Sequence, residues 1–233
     1  MNDRRKMAVI YLLTGMVLLV CVKIYSATVT TFAGKEDHER DICVVIDPGH
    51  GGEDGGAVSC VGIPESTYNL DISRKLNDTL NLLGYQTVMV RESDISVYTK
   101  GETLAQKKAS DLKERVRLVN ETKGALLVSI HQNYFSDSRY SGAQVFYAKT
   151  EGSEQLAKEL QKEFVSTLNP GSRRQAKQSS GIYIMERIHC PGILVECGFL
   201  SNPQEEKTLR DETYQKKLSA VIAATVSRHL SNT

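Results

Sequence analysis

The chain has 233 residues, 40% hydrophobic and 24% charged, a balance that fits one ordinary globular domain and excludes a disordered or fibrous chain. Its formal net charge of +1 gives no electrostatic case for a nucleic-acid partner. Trp is absent and aromatics make up 6%, which argues against a base- or sugar-stacking platform.

In chain order, the first feature is residues 7–22, sixteen residues without a charge, preceded by Arg4, Arg5 and Lys6 and closed by Lys23. A basic stretch before an apolar one is the pattern of a secretory signal. As a helix it spans about 24 Å, short of the ~30 Å hydrocarbon core. It reads as a signal anchor or as a cleaved signal peptide with Thr31-Phe32-Ala33 as the processing site, and the anchor is the expectation. Residues 26–41 read as a polar linker and 42–231 as the folded domain. Without residues 1–25 the chain carries 25 basic and 27 acidic residues, a net charge of −2, so the mild basic balance belongs to the targeting segment. The five cysteines, Cys21, Cys43, Cys60, Cys190 and Cys197, have no C-x-x-C spacing, and those in the domain read as free thiols.

Residues 42–46 form an apolar run ended by Asp47-Pro48-Gly49, a buried strand entering a loop that holds six glycines by residue 62. A helix over about 64–83 follows, with Ile72, Leu76, Leu80 and Leu83 on one face and Gly84 as its stop. Residues 86–91 read as a strand. Asp111 with Glu114 reads as a capping pair for a helix carrying Leu112, Val116 and Val119. Residues 125–130 are another buried strand, and 142–147 alternate. Leu156, Leu160, Phe164 and Leu168 mark a helix, 182–185 and 193–195 short strands, and Tyr214 to Val226 a long amphipathic helix. Strands alternating with helices imply an α/β fold with a largely parallel, buried sheet.

In such folds ligands sit beyond the carboxyl ends of the strands. Three strand ends carry suitable groups there: Asp47-Pro48-Gly49-His50, Ser129-Ile130-His131-Gln132-Asn133 and Val195-Glu196-Cys197-Gly198. Glu65 opens the first helix, where the macrodipole favours its charge. Two imidazoles and a carboxylate can hold zinc with a position open for water, and a further carboxylate can act as general base, the minimum set for metal-assisted hydrolysis. Each residue also has a plain structural reading: His50 as a turn residue, His131 as a core histidine, Glu65 as a helix N-terminal acid. Glu196 resists one, because a carboxylate inside the run 193–197 is expensive to bury without a partner. His38, His189 and His229 read as non-ligands. The chain contains no Gly-Lys-Ser/Thr phosphate loop, H-E-x-x-H or G-x-S-x-G.

The motifs Val45-Ile46-Asp47-Pro48-Gly49-His50-Gly51-Gly52, Ser129-Ile130-His131-Gln132-Asn133 and Leu194-Val195-Glu196-Cys197-Gly198-Phe199-Leu200-Ser201-Asn202, with Glu65 fifteen residues after His50, resemble the zinc-dependent N-acetylmuramoyl-L-alanine amidases of the Amidase_3 family. The resemblance runs from about residue 42 to 230. It implies a three-layer α/β/α fold with a mixed, mostly parallel six-stranded sheet. It implies one zinc ion held by His50, Glu65 and His131, with Glu196 as catalytic acid/base. The implied reaction is hydrolysis of the amide between N-acetylmuramic acid and the L-alanine of the stem peptide, so the partner is a peptidoglycan strand with its stem. Asn133 and Arg187 are candidates for substrate contact. Gln132 and Tyr134 depart from the family pattern and are expected to alter the site wall. The 49 residues between His131 and Gly181 look too few for an inserted autoinhibitory helix. A lone catalytic domain behind a signal anchor is most similar to the germination-specific spore-cortex amidases, which prepare muramic δ-lactam. That implies export to the outer membrane face or the space between forespore and mother cell, with membrane contact through residues 7–25 if they are retained. The sequence leaves open a general wall amidase, a metallocarboxypeptidase, a non-catalytic wall-binding protein, and dependence on an activating protein partner.

Overall fold

The apolar run with no polar alternation predicts a strand covered on both faces, and every residue of β1 (Cys43–Pro48) is buried. The computed structural model describes Met16, Lys23 and residues 42–232. The apolar run 7–22, read as an anchor, and the linker 26–41 therefore lie outside the described residues, apart from Met16. Among the described residues no helix is long and apolar enough to cross a membrane.

Five further strands join β1: β2 (Gln86–Met89), β3 (Ala125–Asn133), β4 (Gln144–Tyr147), β5 (Lys177–Gln178) and β6 (Gly192–Phe199), in the spatial order β2-β1-β3-β6-β4-β5. The pairs β2–β1, β1–β3, β3–β6 and β4–β5 are parallel, and only β6–β4 is antiparallel. The mixed, mostly parallel six-stranded sheet expected from the sequence is present. Alternation along the strands splits the core in two. Val44, Ile46, Val128, Ile130, Ile193 and Val195 face α1 (Glu65–Leu82), α3 (Ser153–Thr167) and α5 (Glu212–Asn232). Val45, Leu127 and Leu194 face Val119 of α2 (Leu104–Glu121) and the segment carrying Ile184, Met185 and Ile188. The result is the expected three-layer arrangement.

Three local readings are corrected. Asp111 and Glu114 do not start a helix. α2 begins at Leu104 behind a complete Thr103–Gln106 capping box, and Asp111 is a buried mid-helix residue whose carboxylate binds Arg115 and the Val97 N–H. A capping box and an i,i+4 ion pair both place an acid near a helix, and only the backbone N–H groups left unpaired at Thr103 decide between them. Residues 182–185 are no strand. They turn, with Glu186 and Ile188 N–H groups reaching back to Ile182 and Ile184 carbonyls, and their apolar side chains enter the core from a loop. Leu83 caps α1 and is half exposed, because Gly84 with φ +83° ends the helix there. Two elements were not anticipated: the short edge strand β5 (Lys177–Gln178) and α4 (Pro203–Leu209), capped by Asn202, whose side chain accepts from the Gln204 and Glu205 N–H groups. The stretch between His131 and Gly181 holds β4, α3 and β5, and no additional helix among the described residues.

Two leucines of α1 test this packing. Leu76 is fully buried and Leu82 is 86% exposed. Leu76→Ala is expected to cost about 2–5 kcal/mol and Leu82→Ala within ~0.5 kcal/mol in urea unfolding. Equal losses would show that α1 does not pack on the face assigned to it.

Candidate metal centre

The parallel strands β1, β3 and β6 end together, and their ends carry the chemistry. β1 runs directly into Gly49 and His50, β3 contains His131, and β6 places Glu196 beside His131 in register. Glu65 is the first residue of α1, beneath the glycine-rich loop. One ligand atom from each of His50, Glu65 and His131 lies within 4.8 Å of the others. His50 Nε2 is 3.3 Å from Glu65 Oε2, and His131 Nδ1 is 3.0 Å from Glu65 Oε1. Tetrahedral zinc with ligands at about 2.0–2.1 Å separates its ligand atoms by roughly 3.3 Å. The His50 and His131 separations run to different Glu65 oxygens and the three-atom set spans up to 4.8 Å, close enough for one metal ion to gather.

The surroundings fix these three side chains. His50 Nδ1 lies 3.0 Å from Asp54 Oδ2, leaving Nε2 turned to Glu65, the carboxylate–histidine pairing that orients metal-ligating imidazoles. Glu65 Oε1 accepts from the Gln132 N–H and the Asn69 amide, each at 3.1 Å, and Oε2 accepts from the Ala57 N–H at 3.1 Å. Burial pushes the Glu65 carboxyl up, but the His131 hydrogen bond, the charges of His131 and His50 and the Gln132 N–H outweigh it and hold it at about 2. Glu65 is therefore held as the anion at neutral pH. Two glycines make room. A Cβ on Gly49 would lie 2.3 Å from the His131 ring, and one on Gly56 would lie 2.6 Å from Glu65 Oε2.

His50 has φ +60°, a left-handed conformation that costs a non-glycine residue roughly 1–2 kcal/mol. It is held by two buried arginines. Arg115 donates to the Pro48 and His50 carbonyls at 2.9 and 2.7 Å, and Arg91 to the Pro48 and Gly49 carbonyls at 3.0 Å each. Three successive carbonyls of the ligand loop are thus claimed by guanidinium groups. Arg115 also pairs with Asp47 and Asp111, each at 2.6 Å.

Glu196 differs from Glu65. Its Oε2 is buried with no hydrogen-bond partner among the described residues. Burial pushes the carboxyl up, the charge of His131 pulls it back and that of Glu65 adds to the rise, leaving it at about 7. Two carboxylates close to one histidine thus have opposite tendencies, the separation expected of an anionic ligand and a proton-transferring group.

The structure brings His50, Glu65, His131 and Glu196 to one place. Asn133 follows at the end of β3, its carbonyl accepting the Leu200 N–H. Arg187 is not among the residues brought together: its guanidinium lies 3.9 Å over the Tyr183 ring, and its carbonyl accepts from Asn120 near the end of α2. Gln132 does not form the site wall. Alternation turns it to the opposite face from His131, where it is buried and donates to Asn69 Oδ1, so it acts on Glu65 from behind. Tyr134 is half exposed beside it. His229 pairs with Glu159 far along the chain, as a non-ligand. His38 lies outside the described residues. Cys43, Cys60, Cys190 and Cys197 are all free thiols. Asp54, Asn69, Arg91 and Arg115 escape the sequence reading. Only Arg115 had a signal, its i,i+4 spacing from Asp111.

Residues 44–228 match the Amidase_3 family, described as N-acetylmuramoyl-L-alanine amidase. The germination-specific N-acetylmuramoyl-L-alanine amidase of Bacillus subtilis is 38% identical over 190 residues, covering 81% of this chain and 79% of that protein. Among solved structures, the CwlD amidase of Clostridioides difficile, in complex with the GerS lipoprotein, superimposes with TM-score 0.79 at 36% identity, covering 82% of this chain and all of that one. An N-acetylmuramoyl-L-alanine amidase of Clostridium difficile 630 gives TM-score 0.71 at 32% identity, with 82% and 97% covered. The chain belongs to the N-acetylmuramoyl-L-alanine amidases of the Amidase_3 family.

Proposed function

We propose that this enzyme hydrolyses the N-acetylmuramoyl–L-alanine amide of spore-cortex peptidoglycan with one zinc ion held by His50, Glu65 and His131, as a step toward muramic δ-lactam. The observation that carries the reading is the convergence of those three ligand atoms within 4.8 Å, next to a buried Glu196 carboxylate left without a partner. The chemistry a bound zinc supplies there is polarisation of the amide carbonyl and a lowered pKa, about 7, for its water. Glu196 takes a proton from the attacking water and returns it to the leaving L-alanine amine, a task suited to a carboxyl whose pKa lies near neutrality. Asp54 and Asn69 keep His50 and Glu65 in their orientations. Asn133 is proposed to touch substrate at the rim.

The cortex assignment rests on likeness to the germination-specific amidase and to CwlD. The basic-flanked run 7–22 supports export and tethering at the outer membrane face or in the space between forespore and mother cell. Because the CwlD structure contains a lipoprotein, a protein partner is proposed for this chain too, acting on occupancy of the metal site. Added partner should raise the zinc content of purified enzyme, and deletion of residues 1–25 should move it out of the membrane fraction. Full zinc occupancy without partner would remove that requirement.

Elemental analysis of the enzyme bound to its partner should give one zinc per chain. Glu196→Gln should retain it while kcat falls by about 10²–10⁴-fold, read as release of L-alanine-terminated peptides from purified cortex. Full activity in that variant would end the assignment. Shortened stems in place of stem-free muramic acid would indicate a carboxypeptidase, and equal rates on cortex and vegetative wall would indicate a general wall amidase.

Glu196 also makes a stability prediction for the metal-free protein. A carboxyl whose folded pKa is raised costs nothing below its unfolded value near 4.5. The cost grows as pH climbs to about 7 and then stays level. Glu196→Gln should therefore match the parent near pH 4 and exceed it by on the order of 3 kcal/mol at pH 8, in urea unfolding with chelator. A difference independent of pH would contradict it.

A further inference from the structure

At the start of β4, the strand paired with the Glu196 strand, lies a cleft of about 850 Å³, completed by the segment that leads into β5. Arg173, Arg174 and Lys177 line it, and no acidic side chain does. Arg173 and Lys177 are exposed. Arg174 is held by neutral partners, donating from Nε to the Ser141 carbonyl at 3.0 Å and from Nη1 to Gln144 Oε1 at 3.3 Å, with its guanidinium 4.9 Å over the Phe199 ring. Glu205, whose carboxylate feels the Arg174 charge, is committed to the Phe199 and Gly142 N–H groups. The result is a guanidinium fixed by neutral hydrogen-bond partners in a cleft open to solvent, with no carboxylate hydrogen-bonded to it, an arrangement suited to receiving carboxylates.

Its place in the sheet says which part of a substrate reaches it. Gln144, which lines the cleft, is the register partner of Glu196 across β4 and β6. Across the sheet the order is therefore metal ligands on β1 and β3, Glu196 on β6, then the cleft on β4 and β5. In amide hydrolysis the carbonyl belongs at the metal side, and the amine belongs at the group that protonates it. Whatever is attached to the amine then extends past Glu196 toward β4 and β5. In this substrate the amine side is the stem peptide, an acidic chain with free carboxylates, whereas the carbonyl side is the glycan.

We propose that the Arg173–Arg174–Lys177 cleft is the subsite for the carboxylates of the leaving stem peptide. This rests on the amidase reading and fixes the polarity of the bound substrate. The near-neutral charge of the domain hides it, since the three cations are offset by acids elsewhere on the surface.

The test pairs two substrates, muropeptides with free stem carboxylates and the same muropeptides with those carboxylates amidated, against the zinc-loaded parent and the Arg173→Gln/Lys177→Gln variant. The parent should prefer the free-carboxylate form by roughly 10-fold in kcat/KM, mostly through KM. In the variant, which keeps Arg174, this ratio should fall to about 3-fold with zinc content unchanged. A parent without preference, or a variant that keeps the parent's ratio, overturns the proposal. Calorimetry with the free stem peptide and with stem-free glycan reads the cleft without turnover. Peptide binding that weakens in the variant and with added salt supports it. Equal peptide binding by both proteins, or binding of the glycan alone, overturns it. If the parent cleaves neither muropeptide, the reaction assignment falls, and the calorimetry still decides the cleft.

Discussion

The Arg115 guanidinium joins the sheet to the ligand loop, and the site depends on it. It sits in the interior between Asp47 and Asp111, and burial lowers its tendency to hold a proton while those two carboxylates more than restore it. Asp47 in turn is pushed up by burial and brought down further by Arg115 and by the Ser129 hydroxyl, 2.7 Å away. A buried ion pair contributes little net stability compared with apolar packing. What this one supplies is direction. With two acids absorbing its charge, Arg115 still has donors for the Pro48 and His50 carbonyls. Arg91 works beside it under the opposite pressure, its pKa lowered to about 10 by burial and by the Arg115 charge, yet protonated at any physiological pH. Its donors reach Pro48, Gly49, Ser66 and Ser93 carbonyls. Loop, first helix and β2 exit are thereby tied at one point, and the left-handed backbone at His50 is held against its own preference.

The second constraint is strand parity. His131 and Glu196 are neighbours because β3 and β6 are parallel and in register. Gln132, one residue on, necessarily faces α1, and there it braces Asn69, which braces Glu65. A slip of one residue in β3 would exchange ligand and brace, so register and chemistry are specified together. The same parity explains why Ser129 and Asp47, paired across β1 and β3, lie on the His131 face and reach each other.

The parts of this design that could be read from the sequence are those written in local pattern. The buried strands declared themselves as apolar runs, and His50, His131 and Glu196 stood at their ends. Glu65 stood at a helix start. The bracing groups were hard to read for a physical reason: Arg91 and Arg115 act on carbonyls 42 to 67 residues away, Asp54 acts through loop geometry, and Asn69 reaches Glu65 one turn along α1, a spacing that gives no sign of its role. Asp111 was misread because an acid four residues before an arginine and an acid at a helix start look alike in one dimension. Residues 182–185 were misread because an apolar tetrad enters a core equally well from a strand or from a turn. α4 was missed because seven residues give too few turns for a periodic signal, although Asn202-Pro203 carries a start signal.

Net charge was the weakest guide of all, because it averages over faces. A domain with slightly more acids than bases can still present three cations and no acid in one cleft. What gives that cleft meaning is its distance along the sheet from the ligands: the ligand strands, the Glu196 strand and the basic edge follow one another in order. A parallel sheet whose ends are level presents its strand order as a line of adjacent subsites. In this family member the line runs from a candidate metal site of two imidazoles and a carboxylate, through a carboxyl poised near neutrality, to the basic edge proposed to bind anions. A substrate with a polar amide between a neutral glycan and an acidic peptide matches that line with its peptide at the basic edge, where no acidic side chain lines the cleft.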